Sequence, residues 1–172
     1  MNAMHKFLSE EAVSLHREYL NTLKLKYSVF EKSYKDIAGK SVNKIKTARV
    51  DRETKKEIIK TKIDIELHNL FFSSFSENPR SNSRLRDAYG SEQAFLYGVY
   101  RLALKSDGGF LVISKNRNKI DIICGRLEQL EKLDLTPCLA LDLEEHAYFL
   151  DYGFSREEYI KNALSSLDIS KL

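Results

Sequence analysis

The sequence predicts an α+β protein in which an N-terminal antiparallel helical hairpin is followed by a small α/β lobe with a three-stranded antiparallel sheet. Three observations predict it. Apolar residues recur at steps of three and four over two long stretches before residue 77, the spacing of helices packed lengthwise. Strand-like apolar runs are recognised after residue 108. Between the two regimes lies ENPRSNSR, residues 77–84, a polar break containing a proline. The expected division is a helical hairpin over 1–80 and an α+β lobe over 81–172.

The first helix starts at Ser9, which can cap it, with Glu10 and Glu11 set against its positive end. Its seam is Val13, His16, Leu20, Leu23, Tyr27, Phe30 and Tyr34, and it ends between Asp36 and Gly39. The second helix spans about Arg52 to Phe75, with Ile58, Ile65, His68, Phe72 and Phe75 as its seam. Beyond the break, SRLRDAYG forms a short helix ending at Gly90. Ser91 then caps a helix to Lys105 whose seam includes Phe95, Val99 and Leu102. GFLVISK (109–115), an NRN turn and KIDIIC (119–124) read as a β-hairpin. GRLEQLEKL (125–133) is a helical connection, and CLALDL (138–143) is the third strand. Ser155 and Glu158 form a capping box for a last helix carrying Tyr159, Ile160 and Leu164.

Composition narrows the function classes. At 172 residues, 42% hydrophobic and 31% charged, the chain is a normal globular protein. Its net charge of +3 is too small to call for nucleic acid, and no run of about 18 apolar residues exists to span a membrane. The N-terminus lacks the apolar core of a signal peptide. Cys124 and Cys138 are not in C-x-x-C spacing and read as small buried thiols in preference to a disulfide or metal ligands, so the expected compartment is cytoplasmic. Lys40–Lys62 carries nine Lys or Arg against three acids. A solvated loop and helix face is preferred to a phosphate-binding surface, because no aromatic platform interleaves its first half.

The chemistry concentrates in four residues. Asp142 and His146 stand four apart, straight after an apolar strand. Of the four histidines, His16 and His68 lie on the seams of the two long helices, one about two turns from the start of its helix and the other about two turns from the end. Antiparallel packing brings those ends level, with both imidazoles facing inward. Three imidazoles and a carboxylate from three segments would make a mononuclear metal site.

LDLEEHAYFLDY resembles the D-x-W-E-H-A-Y signature of the iron/manganese superoxide dismutases. FLSEEAVSLH is similar to that family's first helix, LHNLFF to its H-x-x-F-W segment, RDAYGSEQAF to its D-F-G-S-x-x-x-F segment, and GGFLVI to its G-S-G-W-x-W-L-V strand. Order and spacing agree from end to end. The resemblance places the family's metal ligands on His16, His68, Asp142 and His146. It implies one iron or manganese ion per subunit and superoxide as substrate. Such mixed nitrogen and oxygen donors suit either metal in two oxidation states. Glu145 matches the glutamate that reaches across the family's dimer interface, which implies a homodimer.

The chain also departs from the family pattern. Lys24 stands where the family has a tyrosine at the channel mouth; it either attracts anionic substrate or is an exposed helix lysine. Leu20 and Phe149 replace a histidine and a tyrosine that bond across the interface, so both ends of that bond are lost together. The chain has no tryptophan; Gly108 and Phe110 fill such positions on the strand, and Glu144 fills the one in the signature. The glutamine beside the metal falls at Asp64 in the iron-type pattern and near Glu128 in the manganese-type pattern. An acid there would favour the oxidised ion and lower its potential. The expectation is a dismutase-like metalloenzyme. Non-catalytic use of the fold to bind RNA or protein, or a different redox chemistry, are the other readings, and no nucleic-acid or membrane partner is expected.

Overall fold

The computed structural model describes residues 3–116, 119–131 and 136–172. Helix α1 runs over Glu10–Ser33 and α3 over Arg52–Ser73, with the short α2, Val42–Ile45, in the connection between them. Ser9 accepts the Ala12 N–H at 3.1 Å, and Asp51 accepts the Thr54 N–H at 3.0 Å, so both long helices begin on a side-chain cap. After them come α4 (Ser83–Tyr89), α5 (Glu92–Lys105), β1 (Phe110–Asn116), β2 (Lys119–Gly125), α6 (Leu127–Leu130), β3 (Pro137–Asp142), α7 (Glu145–Tyr152) and α8 (Arg156–Ser165). The protein is helix-rich with one three-stranded antiparallel sheet, the α+β architecture expected.

The sheet order is β2-β1-β3, both pairings antiparallel. Phe110 at the start of β1 faces Gly125 on one side and Asp142 on the other. Phe110 to Ser114 are all buried, as a central strand covered on both faces must be. Ser74, the C-cap of α3, ties the long helices to this sheet. Its Oγ accepts the Ala140 N–H at 2.8 Å and donates to the Leu70 carbonyl, also at 2.8 Å. One apolar cluster therefore contains Val13 of α1, Leu67 and Phe71 of α3, the apolar residues of β1 and β3, and Tyr159 of α8. A second, smaller cluster of Tyr27, Ile37, Ile45, Ala48, Ile58 and Ile59 closes the far end of the hairpin.

Several local expectations shift. The first helix stops at Ser33 and a 3-10 turn over Lys35–Ile37 follows; the second stops at Ser73. On α3 the fully buried line passes through Phe71, and Phe72 is only half-buried. On α5, Ala103 faces the core and Leu102 is exposed. Ser155 makes no side-chain cap; its carbonyl instead accepts the Glu158 and Tyr159 N–H groups. Gly108 precedes β1 and does not sit on it. Both cysteines are free but half-buried, and burial pushes the Cys124 thiol up to about 11. Residues 117–118 of the NRN turn and 132–133 of the 125–133 connection lie outside the described residues.

Candidate metal centre

Three elements supply the cluster: His16 from the second turn of α1, His68 from α3, and Asp142 and His146 from the junction of β3 with α7. Asp142 is fully buried, and its two oxygens do different work. Oδ1 accepts the Glu144 N–H at 2.9 Å, fixing the turn into α7. Its backbone carbonyl accepts the hydroxyl of buried Tyr159 at 2.8 Å. Oδ2 is left to face His146 Nε2 at 3.0 Å, His16 Nε2 at 3.2 Å and His68 Nε2 at 3.4 Å. The Nε2 atoms of His68 and His146 are 3.4 Å apart. One donor atom from each residue lies within 4.8 Å of all the others.

The orientation of His68 is set from behind. Its Nδ1 lies 2.8 Å from the Asp64 carbonyl oxygen and 3.0 Å from Asp64 Oδ1. An Nδ1–H donated there leaves Nε2 as a lone pair aimed at the cluster. His16 has no such support: neither ring nitrogen has a hydrogen-bond partner among the described residues, although the residue is buried. Asp142 Oδ2 is likewise buried without an aligned donor, despite three imidazoles around it. Buried polar atoms without partners are costly. A cation taking Nε2 of His16 and Oδ2 of Asp142 satisfies both at once, so the donor set fits a bound ion. Three imidazoles and one carboxylate are the chemistry that iron and manganese accept.

The electrostatics follow from this packing. Burial alone would raise the Asp142 carboxyl, but the surrounding imidazoles outweigh it and hold the group well below the usual carboxylate range. Burial lowers His16, offset only in part by Asp142. For His68 burial also acts downward, yet Asp142 and Asp64 together win and push it up to about 9. The two histidines differ in direction because His68 has a second carboxylate at its back and His16 has none.

The other residues named from the sequence are dispersed. Asp64 is buried and contacts the far side of His68, while its Oδ2 lies 3.5 Å from the Tyr19 hydroxyl. Glu128 is away from that pair: it forms a half-exposed ion pair with Lys60 at 2.7 Å, which raises Lys60 and lowers Glu128. Among the described residues Glu128 makes no hydrogen bond or ion pair with the four clustered residues. Lys24 is exposed on α1, two turns beyond His16, with no ion pair or hydrogen bond among the described residues. Glu145 is exposed in the first turn of α7. Glu144 turns inward, where its Oε1 accepts the Gly109 N–H at 2.7 Å and its carboxylate covers Gly108.

Sequence reasoning missed Tyr19. Its ring packs on His146 with centroids 4.5 Å apart and on His68 at 5.2 Å. Burial, then the charges of Asp64 and Asp142, pushes its phenol up to about 12. The signal was available, since position 19 is three residues beyond His16 and shares its side of the helix.

The sequence profile of the iron/manganese superoxide dismutases, C-terminal domain, matches residues 77–172. The chain is 24% identical over 185 aligned positions to a protein of Bacillus subtilis (strain 168) named probable superoxide dismutase (Fe). That match covers 97% of this chain, and the chain spans 62% of the Bacillus protein's length. With more than half of its residues matched by the family profile, the chain belongs to the iron/manganese superoxide dismutase family.

Proposed function

We propose that the chain is an iron- or manganese-dependent superoxide dismutase-like metalloenzyme, with one ion per subunit held by His16, His68, Asp142 and His146. The observation that carries this reading is the convergence of three Nε2 atoms on a buried carboxylate oxygen that has no aligned donor of its own. The name of the Bacillus relative specifies iron; manganese is chemically equivalent for these donors. When bound, such an ion supplies one-electron chemistry, so that two superoxide ions and two protons give dioxygen and hydrogen peroxide.

The chain's own residues set the conditions for that chemistry. Asp142 supplies a fixed negative charge at Oδ2, and Asp64 keeps the His68 proton on Nδ1. Phe71 and Phe72 against His16, and Phe110 edge-on to His68, keep bulk water from the buried side. His146 has a third of its side chain exposed, so a small anion approaches from its side.

A homodimer belongs to the same reading. Exposed Glu145 shares α7 with exposed Phe149 and Leu150, and Phe154 beyond it is 96% exposed, an apolar surface that a second subunit would cover. A cytoplasmic location is also proposed, supported by the free thiols. Among the described residues, no helix is long and apolar enough to cross a membrane. Several cations of the 40–62 stretch are engaged within the chain, Lys60 with Glu128 and Lys62 with Glu66, which weighs against an RNA-binding role.

One observation favours a second reading, a bound ion without turnover. Besides Asp142, the carboxylates of Asp64 and Glu144 contribute to the field at Tyr19 and oppose the approach of an anion. Metal content and superoxide dismutation measured on the same purified protein separate the two. We expect about one iron or manganese per chain with dismutation, and loss of both in His146→Ala. Stoichiometric metal with no dismutation supports the second reading, and activity that survives His146→Ala rejects the site.

A further inference from the structure

Every imidazole of the cluster rests against an aromatic ring. Phe71 and Phe72 lie on His16 with centroids 4.8 and 5.2 Å away, and Phe110 meets His68 at 5.1 Å. Phe71 and Phe110 are buried, so packing in the apolar core accounts for them. Tyr19 is different. It is 38% exposed, yet it contacts two imidazoles, His146 and His68. Its hydroxyl lies 3.5 Å from Asp64 Oδ2, on the carboxylate whose other oxygen is 3.0 Å from His68 Nδ1. His146 is also the least buried of the four, with a third of its side chain open to solvent, against none or almost none for His16, His68 and Asp142.

We infer that Tyr19 is a positioning residue that walls one flank of the solvent side of the cluster, leaving the rest open at His146, and governs how fast its ion exchanges. This rests on the metal-centre reading above. An ion leaves a four-donor site by losing its donors one at a time. His146, in the first turn of α7, is the donor with room to swing outward. The Tyr19 ring occupies one wall of the space around that imidazole and covers the approach of a competing ligand. Its contact with Asp64 links this wall to the arm that orients His68, so the exposed and buried donors are held by one side chain. The ring supplies the wall and the hydroxyl supplies the link, which separates the two contributions experimentally.

The test uses full-length protein loaded with iron: wild type, Tyr19→Phe, Tyr19→Ala, and Leu15→Ala as a control at an exposed position on the same helix. Metal transfer to excess EDTA is followed by the loss of protein-bound iron, with the thermal midpoint of each protein measured alongside. Tyr19→Ala is expected to release iron about tenfold faster or more, within the range found when groups supporting metal ligands are removed. Tyr19→Phe keeps the ring and loses the link to Asp64, so its release rate is expected between those of wild type and Tyr19→Ala; a rate equal to that of Tyr19→Ala overturns the part assigned to the ring. Equal release from wild type and Tyr19→Ala overturns the inference while leaving the metal centre intact. Equal acceleration in Leu15→Ala also overturns it, by assigning the effect to the helix as a whole. A wild-type protein that takes up neither iron nor manganese rejects the metal-centre reading, and the role of Tyr19 with it.

Discussion

Asp142 divides its two carboxylate oxygens between the fold and the cluster, and Asp64 divides its oxygens between His68 and Tyr19. Neither arrangement depends on a charge being free in solution; both place carboxylates where imidazole nitrogens need orientation. Asp64 is a buried acid that stands behind His68. It contacts the rear nitrogen of a proposed ligand, where added negative charge makes the imidazole a stronger donor. Asp64→Ala is therefore expected to weaken iron or manganese binding by about 10–100-fold. Competition titration against a chelator of known affinity checks this, and unchanged affinity would show that the backbone carbonyl alone orients His68.

At the scale of elements, the cluster depends on how β1 meets the turn between β3 and α7. Gly109 stands at that meeting with φ +76°, and its N–H and C=O bond to the Glu144 carboxylate and the Leu143 N–H. A Cβ there would come within 2.3 Å of the Gly125 carbonyl oxygen, which is backbone and cannot move aside cheaply. Gly109→Ala is expected to cost about 1–3 kcal/mol from the left-handed backbone, with overpacking added to it. Denaturant titration reads this as a lower midpoint, and a midpoint within error of wild type would contradict the crowding. Caps were less uniform than the sequence suggested. Ser9, Asp51 and Ser91 each accept an N–H at the start of a helix, whereas Ser155 adopts a backbone conformation that points its hydroxyl elsewhere.

For the molecule as a whole, a single apolar core joins the long helices to the sheet, so the four donors are fixed relative to one another by the same packing that folds the chain. What that core leaves uncovered is also informative. Phe149 and Phe154 pack edge to face with centroids 5.5 Å apart, both exposed, and Phe149 shares α7 with Glu145 and the partly open His146. Phe154→Asp is expected to convert the proposed homodimer to monomer without altering the helical circular dichroism. Sedimentation at matched concentrations decides it; a dimer of unchanged stability would place the interface elsewhere.

Periodicity and strand-like runs carried the architecture, because a helix seam and a buried strand each leave a repeating pattern in the chain. The same patterns singled out His16, His68, Asp142 and His146, two as polar residues on apolar seams and two at the end of a strand. What the tertiary structure alone decided is which atoms meet. Nothing local separates Glu128, drawn to Lys60, from Asp64, drawn to His68, since both are acids on helices. Nor does local pattern show that Tyr19 lies over His146, 127 positions later in the chain. Spacing along one element fixes a side chain's direction, but a shared point in space depends on how separate elements dock, and docking is set by the volume and shape of the core between them.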